Sequence, residues 1–335
     1  AFQKAVLSWY DVYKRKLPWR YSQDQANVYH VWLSEIMLQQ TTVVAVLPYF
    51  KKFIEKWPTI QDLARASLDE VYHVWQGLGY YMRARNLLKC AQIIVKDYAG
   101  YFPDNAKDLQ KLPGIGPYTA GAISSIGFSR PETALDANVE RIYARLFAMN
   151  ISRATLKKNL EKHAHMLIPH HRPGDYLQAL MDIGSSICTT KTPTCELCPV
   201  NTFCLGKRNP ELYPNKPIKT KKPTRYGYVY WIENSSGEVV LEKRAAKGLL
   251  AGLYGFPTSV WSEDPNTEPQ MLLTGDLVDL QHIVRHTFTH FHLALKVFKI
   301  YSLKTDKFHW VSKKNINLYA LPTLMKKVAH FIGNS

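Results

Sequence analysis

Over the first two thirds of the chain, apolar residues recur at three- and four-residue spacing, as in Val139, Ile142, Tyr143, Leu146 and Phe147. That is the period of an amphipathic helix. Proline and glycine interrupt it in "KWPTI", "QGLGY", "YFPDN", "LPGIGP" and "HRPGD", so a series of short helices is predicted from about Phe2 to Leu205. Beyond that the period changes to two. "YGYVYWIE" and "GEVVLEKR" are β-branched or aromatic runs separated by "NSSG", which predicts a hairpin. "HFHLALKVFKIYSL" alternates as a strand does, and "LPTLMKKVAHFI" reads as a closing helix. Between the two patterns, "GKRNPELYPNKPIKTKKPTRYG" is rich in Pro and Lys and reads as a linker. The fold class expected is α+β and multidomain, in keeping with 335 residues.

Composition adds a partner class. Apolar residues make up 46% of the chain, enough for packed cores, and the formal net charge is +16. Residues 1–219 carry +10 of it and residues 220–335 carry +6, so both parts suit one polyanion. No apolar run approaches a membrane span. The opening "AFQKAVLSWYDVYKRK" has charges threaded through it and no secretory apolar core, which points to a reducing cytoplasm. Four of the five cysteines lie between 188 and 204, and such clustering without a secretory signal favours metal over disulfides.

Those four, Cys188, Cys195, Cys198 and Cys204, stand at C-x6-C-x2-C-x5-C. Four thiolates at such spacing can wrap one [4Fe–4S] cluster or one tetrahedral zinc ion; a single knuckle flanked by longer loops leans toward the cluster. "LPGIGPYTAGAI" holds a Gly-x-Gly hairpin, Gly114 and Gly116, of the kind that turns backbone N–H groups toward a phosphate. In "VWLSEIMLQQTTV", Glu35 sits among Trp32, Leu33, Ile36, Met37 and Leu38. Burial there would raise its pKa toward that of a general acid, although an amphipathic helix also accommodates such a Glu on its exposed stripe. Gln39 follows one turn later and is expected to flank the same place. Asp136 in "ALDANVERIYARLF" precedes a helix, where Asp commonly serves as N-cap. A carboxylate so placed is favoured as the anion and suits a cationic sugar. "WQGLGYYMRARN" sets Leu78, Tyr80 and Tyr81 on a Gly-bounded turn ahead of Arg83 and Arg85. Apolar wedges beside cations suit insertion into a base stack, and equally suit a packed aromatic cluster.

Taken in order, the hairpin, "LDANVER" and the cysteine loop resemble the helix-hairpin-helix, iron–sulfur DNA glycosylases of the endonuclease III superfamily. Within it, "SEIMLQQTTV", "GLGYYMRARNL" and "RHTFTHFHL" resemble the MutY-type adenine DNA glycosylases, and the resemblance covers nearly the whole chain. It implies an all-α catalytic core with a [4Fe–4S] cluster held by the four cysteines, followed by a Nudix-like α/β domain. The implied boundaries are 1–205 for the catalytic region, 206–226 for a linker and 227–335 for the lesion-reading domain. Within the first, about 20–125 form a six-helix barrel, and 1–19 with 126–205 form the cluster domain.

The resemblance also implies roles. Glu35 protonates adenine, Asp136 stabilises the sugar cation, and Tyr118 and Asn138 orient or shield the sugar. Gln40, Thr41, Leu78 and Tyr80 surround or wedge beside an oxidised guanine, and Phe288, Thr289 and His290 form the reading loop. Thr289 replaces a serine common in the family. Strand-cleaving relatives carry a lysine nucleophile where this chain has Tyr118, so base removal without lyase activity is implied. No R-E-x-x-E-E helix follows "KGLLAGLYGFP", so a pyrophosphatase site is not expected. The expected enzyme is a cytoplasmic, nucleoid-associated bacterial monomer acting on duplex DNA with adenine opposite 8-oxoguanine or guanine. A bifunctional glycosylase/lyase and a non-catalytic lesion-binding protein are the alternatives.

Overall fold

The computed structural model describes residues 1–21, 25–151, 153–215, 221–266, 268–269 and 276–333. Its elements begin with helices α1 (Phe2–Tyr13), α2 (Val28–Leu38), α3 (Val43–Lys56), α4 (Ile60–Ala64), α5 (Leu68–Trp75) and α6 (Met82–Asp97). There follow α7 (Ala106–Leu109), α8 (Pro117–Ala122), α9 (Ala137–Leu146), α10 (Arg153–Leu167) and α11 (Pro173–Ser186). Strands β1 (Thr224–Glu233), β2 (Glu238–Lys243), β3 (Tyr254–Gly255), β4 (Leu277–Thr287), β5 (His292–Tyr301) and β6 (His309–Ser312) come next, and α12 (Thr323–Gly333) closes the chain. The chain divides into two compact units, residues 1–65 with 86–218 and residues 66–85 with 219–335.

The first unit is helical. Asn27 caps α2 by accepting from the His30 N–H, and Thr42 caps α3 by accepting from the Ala45 N–H. Helix α2 is buried almost all round, with Tyr29 and every residue from Val31 to Met37 inside. A helix apolar on all sides belongs in a core, and Glu35 goes in with it. Helices α1, α9 and α11 share a second core of Val6, Tyr10, Val139, Ile142, Tyr143, Leu177 and Ile183. Helix α8 leads into a π-turn at Ile123–Gly127. Two close approaches need glycine here. A Cβ on Gly121 would stand 2.1 Å from the Thr133 carbonyl oxygen, and one on Gly184 would stand 2.5 Å from the Asn138 Cβ.

The second unit is a mixed sheet of order β3-β2-β1-β5-β4, with β6 paired to β2; β1 and β5 run parallel and the other pairs antiparallel. Alternation along β1 sorts its side chains by face. Val229 and Trp231 join the core under α12 with Leu324, Met325 and Val328, whereas Tyr230 and Ile232 join Val240, Phe298 and Ile300. Between β3 and β4 none of the described residues is helical. The chain runs along β1 instead, with Ser259 N–H donating to the Tyr228 carbonyl and Tyr230 N–H to the Pro257 carbonyl.

Two segments lie elsewhere than their place in the chain suggests. Residues 66–85 pack with the C-terminal unit. Arg85 donates to the Ala246 and Ala251 carbonyls, Gln76 to the Tyr319 and Leu321 carbonyls, and Lys243 pairs with Asp69. Of the segment read as linker, residues 206–215 belong to the helical unit. The Gly206 N–H donates to the Arg145 carbonyl, and Arg145 Nε donates to the Pro210 and Tyr213 carbonyls. Residues 216–220 lie outside the described residues, and β1 begins at Thr224.

Gly121 gives a stability test. Helix propensity alone would favour Gly121→Ala by up to about 1 kcal/mol. The clash with a backbone oxygen should outweigh it, giving a net loss of about 1–3 kcal/mol. The measurement is the denaturant midpoint at unchanged m-value; an unchanged or higher midpoint would mean that the 133 carbonyl gives way.

Candidate active site

Glu35 is 6% exposed and accepts a hydrogen bond at Oε2 from the Tyr118 hydroxyl, at 3.0 Å. Burial pushes its pKa up to about 7. The Tyr118 bond and the Arg20 charge pull it down, and the Asp136 charge pushes it further up. A shift of that size corresponds to about 3 kcal/mol in favour of the protonated form. Tyr118 feels both carboxylates, and burial with those charges raises its own pKa well above the usual phenol value. The fold therefore brings Glu35, Tyr118 and Asp136 to one place, from α2, α8 and the start of α9.

Asp136 is the N-cap of α9. One carboxylate oxygen accepts from the Asn138 and Val139 N–H groups at 2.9 and 2.7 Å, and the other accepts from Asn138 Nδ2 at 3.0 Å. Asn138 Oδ1 in turn accepts from Arg141 Nη2 at 2.8 Å, and the same guanidinium donates to the carbonyls of Cys188, Gly184 and Ala137. A continuous hydrogen-bonded path thus runs from the Cys188 backbone through Arg141 and Asn138 to Asp136. Gly184 allows it, because any larger residue would displace Asn138.

The four clustered cysteines form no disulfide and line one small cavity with Ile142, Ile183 and Val200. Arg145 Nη1 donates to the Cys188 sulfur at 3.2 Å. Burial pushes Cys198 up to about 11 and raises Cys195 and Cys204, with the neighbouring sulfurs adding to the shift. Such thiols give up protons readily only to a cation, so the donor set fits a thiolate-bound metal group. Among the described residues no group of three or more His, Cys, Asp or Glu is placed to hold a single metal ion.

A buried ion pair supports the site from α11. Arg20 Nη1 and Nη2 donate to both oxygens of Asp182, at 2.6 and 2.8 Å, and Arg15 Nε reaches the same carboxylate at 2.6 Å. Burial alone would raise Asp182, but the two arginines hold it below the usual carboxylate range.

The hairpin lies between α7 and α8. Gly114 has φ +80°, and both Gly114 and Gly116 are exposed; a Cβ on Gly116 would meet nothing. Gln39, expected to flank Glu35, reaches the residue after Tyr118. Its amide donates to Thr119 Oγ1 at 3.2 Å and to the Gly114 carbonyl at 3.4 Å, tying the end of α2 to the hairpin. Gln40 is exposed at φ +58°, and the Thr41 hydroxyl donates to the Gln39 carbonyl.

In the second unit, Tyr80 is 46% exposed at φ +49°, and its hydroxyl lies 2.6 Å from Thr289 Oγ1 at the β4–β5 turn. Phe288 is anchored on Trp261 and Phe291, while Thr289 and His290 are exposed. Leu78 is buried. Arg83, expected to reach DNA, is buried too; its Nη2 donates to the Leu78 and Gly79 carbonyls, so it braces the Gly-bounded turn. Sequence reasoning missed Arg20, Arg141, Arg145, Asp182 and Gly184. The one available signal was the repeat of arginine at 141 and 145 on a helix whose remaining residues, Asn138 and Glu140 apart, are apolar or aromatic.

Residues 33–170 match the HhH-GPD superfamily of base excision DNA repair proteins, and residues 228–330 match the NUDIX domain. The chain is 41% identical to an adenine DNA glycosylase of Arabidopsis thaliana, over 78% of this chain and 48% of that protein, so it spans about half of that relative's length. It is 35% identical to an adenine DNA glycosylase of Buchnera aphidicola, over 98% of this chain and 95% of that protein. A non-covalent endonuclease III–DNA complex superposes at TM-score 0.52 with 25% identity, over 62% of this chain and 93% of that one. With a helical HhH-GPD core that buries its acid, followed in sequence by a NUDIX domain, this chain belongs to the adenine DNA glycosylases.

Proposed function

We propose that this chain removes adenine from duplex DNA where it lies opposite 8-oxoguanine or guanine, and leaves the sugar–phosphate backbone intact. The observation that carries the reading is Glu35, a carboxylic acid with a pKa of about 7 held beside Asp136. Adenine is extruded from the stack at a cost of a few kcal/mol, which is lower at a mispair. Glu35 donates its proton to the leaving base. Tyr118 holds Oε2 and leaves the proton to Oε1. Asp136, fixed by three N–H donors, offsets the positive charge that grows on the sugar, and water completes the reaction. Tyr118 stands in place of an amine nucleophile, which favours hydrolysis over strand cleavage.

Phe288, Thr289 and His290 serve as the reading loop, with Leu78 and Tyr80 as the wedge and Gln40 and Thr41 beside the base opposite adenine. The direct bond between Tyr80 and Thr289 supports this grouping, since it joins wedge and reader in one unit. Gly114 and Gly116 serve as the phosphate-facing turn. The absence of a helix in residues 256–266 favours recognition over pyrophosphate hydrolysis. Cys188, Cys195, Cys198 and Cys204 would hold a [4Fe–4S] cluster, which when bound supplies a four-point anchor for the chain around Cys188 rather than chemistry at the base. The enzyme acts as a monomer.

Glu35→Gln should abolish single-turnover excision while retaining binding to the mispaired duplex; near-normal turnover would sink the assignment. Because the acid works only when protonated, the wild-type rate should level off below about pH 7 and fall about tenfold per unit above it. A rate that climbs from pH 7 to 9 would contradict this. Asp136→Asn and Asp136→Ala should both lose excision, but only the alanine variant should lose about 1 kcal/mol of stability with the cap. Product strands should break only after alkali; breakage without it would mean that another amine acts as nucleophile.

A further inference from the structure

The loop between β4 and β5 is a tight turn, closed by the Phe288 N–H donating to the Phe291 carbonyl at 2.9 Å. Thr289 and His290 are exposed on it, while Phe288 packs inward against the core of the C-terminal unit. The Phe288 ring meets two rings of its own hairpin, His286 and Phe291, with centroids 4.7 and 4.9 Å away. It meets a third from outside the hairpin, Trp261, stacked at 6.0 Å and 27°. Trp261 therefore ties the loop to another part of the unit. The strip that carries it is fixed to β1, because Ser262 and Tyr226 exchange both backbone hydrogen bonds, at 2.7 and 3.0 Å. Gly227 leaves room for the indole: a Cβ there would stand 2.9 Å from Trp261 Cδ1. The Arg244 guanidinium lies over the same ring, 5.4 Å from its centroid. Trp261 Nε1 is buried without a hydrogen-bond partner among the described residues. An unpaired buried donor costs stability, so the indole is held by its faces and not by its N–H.

Guanine and 8-oxoguanine differ only along one edge, by an oxygen on C8 and a proton on N7. Reading that edge needs donors and acceptors placed at about 3 Å in a defined direction, whereas attraction to phosphates carries no sequence information. We infer that Trp261 is a positioning residue for lesion discrimination. Its ring fixes Phe288, and through Phe288 the place from which Thr289 and His290 meet the base opposite adenine. The inference rests on the proposed function, in which this loop reads that base.

The test is a ratio of dissociation constants for the full chain on two duplexes that carry a non-hydrolysable 2′-fluoro-adenosine, opposite guanine in one and 8-oxoguanine in the other. An aromatic pair contributes about two- to tenfold to an equilibrium, so Trp261→Leu should lower the ratio by that factor. Trp261→Phe keeps a ring and removes the unpaired N–H, and should hold the wild-type ratio. Because Trp261 acts through Phe288, the Trp261→Leu/Phe288→Leu double variant should discriminate no worse than Phe288→Leu alone. An unchanged ratio in Trp261→Leu, including one in which both affinities weaken equally, overturns the inference. So do additive losses in the double variant. If Trp261→Leu lacks the wild-type circular dichroism, Arg244→Gln takes its place. Losing the cation over the indole should lower the ratio about twofold, and an unchanged ratio again overturns the inference. A wild-type ratio near one removes the lesion reading and this inference together. A wild-type preference that Trp261→Leu leaves intact removes the inference alone.

Discussion

A carboxyl group kept almost entirely out of water governs the helical unit. Glu35 enters the core because α2 is apolar on every side, and an ionised carboxylate there would carry a desolvation penalty of several kcal/mol. The Arg20 charge offsets that penalty only in part, and Arg20 itself is paired with Asp182. The fold gives Glu35 a neutral donor, the Tyr118 hydroxyl, and lets the pKa rise to about 7. A lysine in place of Tyr118 would favour the ionised form and lower that pKa. The side chain at 118 therefore bears directly on how far Glu35 stays protonated at neutral pH.

Around this acid the structure is joined by buried arginines rather than by apolar packing alone. Arg20 closes on Asp182, Arg141 links Asn138 to the Cys188 carbonyl, and Arg145 gathers the carbonyls of residues 189, 210 and 213. Each guanidinium offers five donors in a rigid plane, so one residue can join several loops that have no regular structure. This is how the cysteine loop, which contains only two short 3₁₀ turns, is brought into register with α9. Removing one such arginine would leave several buried carbonyls without partners, a larger loss than one hydrogen bond suggests.

The C-terminal unit, in which residues 228–330 match the NUDIX domain, is built on the mixed sheet, and residues 257–262 run along β1. Glu233 is committed to Lys299, Lys313 and the Trp231 indole. The unit also takes in residues 66–85, and with them Tyr80. A segment early in the chain thereby becomes part of the surface that carries Thr289.

Periodicity made the helical and sheet parts legible, and it placed α2, α9, β1, β2, β5 and α12 close to where they lie. The spacing of the cysteines, the Gly-x-Gly turn and the Asp before α9 were legible as well, because each is a local rule written within a few residues. Burial of Glu35 was not, since an amphipathic helix and an all-buried helix differ only in what packs against the remaining face. The direction of Gln39, the inward turn of Arg83 and the pairing of Arg15 and Arg20 on Asp182 depend on partners more than seventy residues away or on a turn that folds back on itself. The same holds for the passage of residues 66–85 into the C-terminal unit. Local sequence specified which elements form and which groups they carry. Long-range packing alone decided which of those groups lose water, and with it their ordinary pKa and their freedom to turn outward.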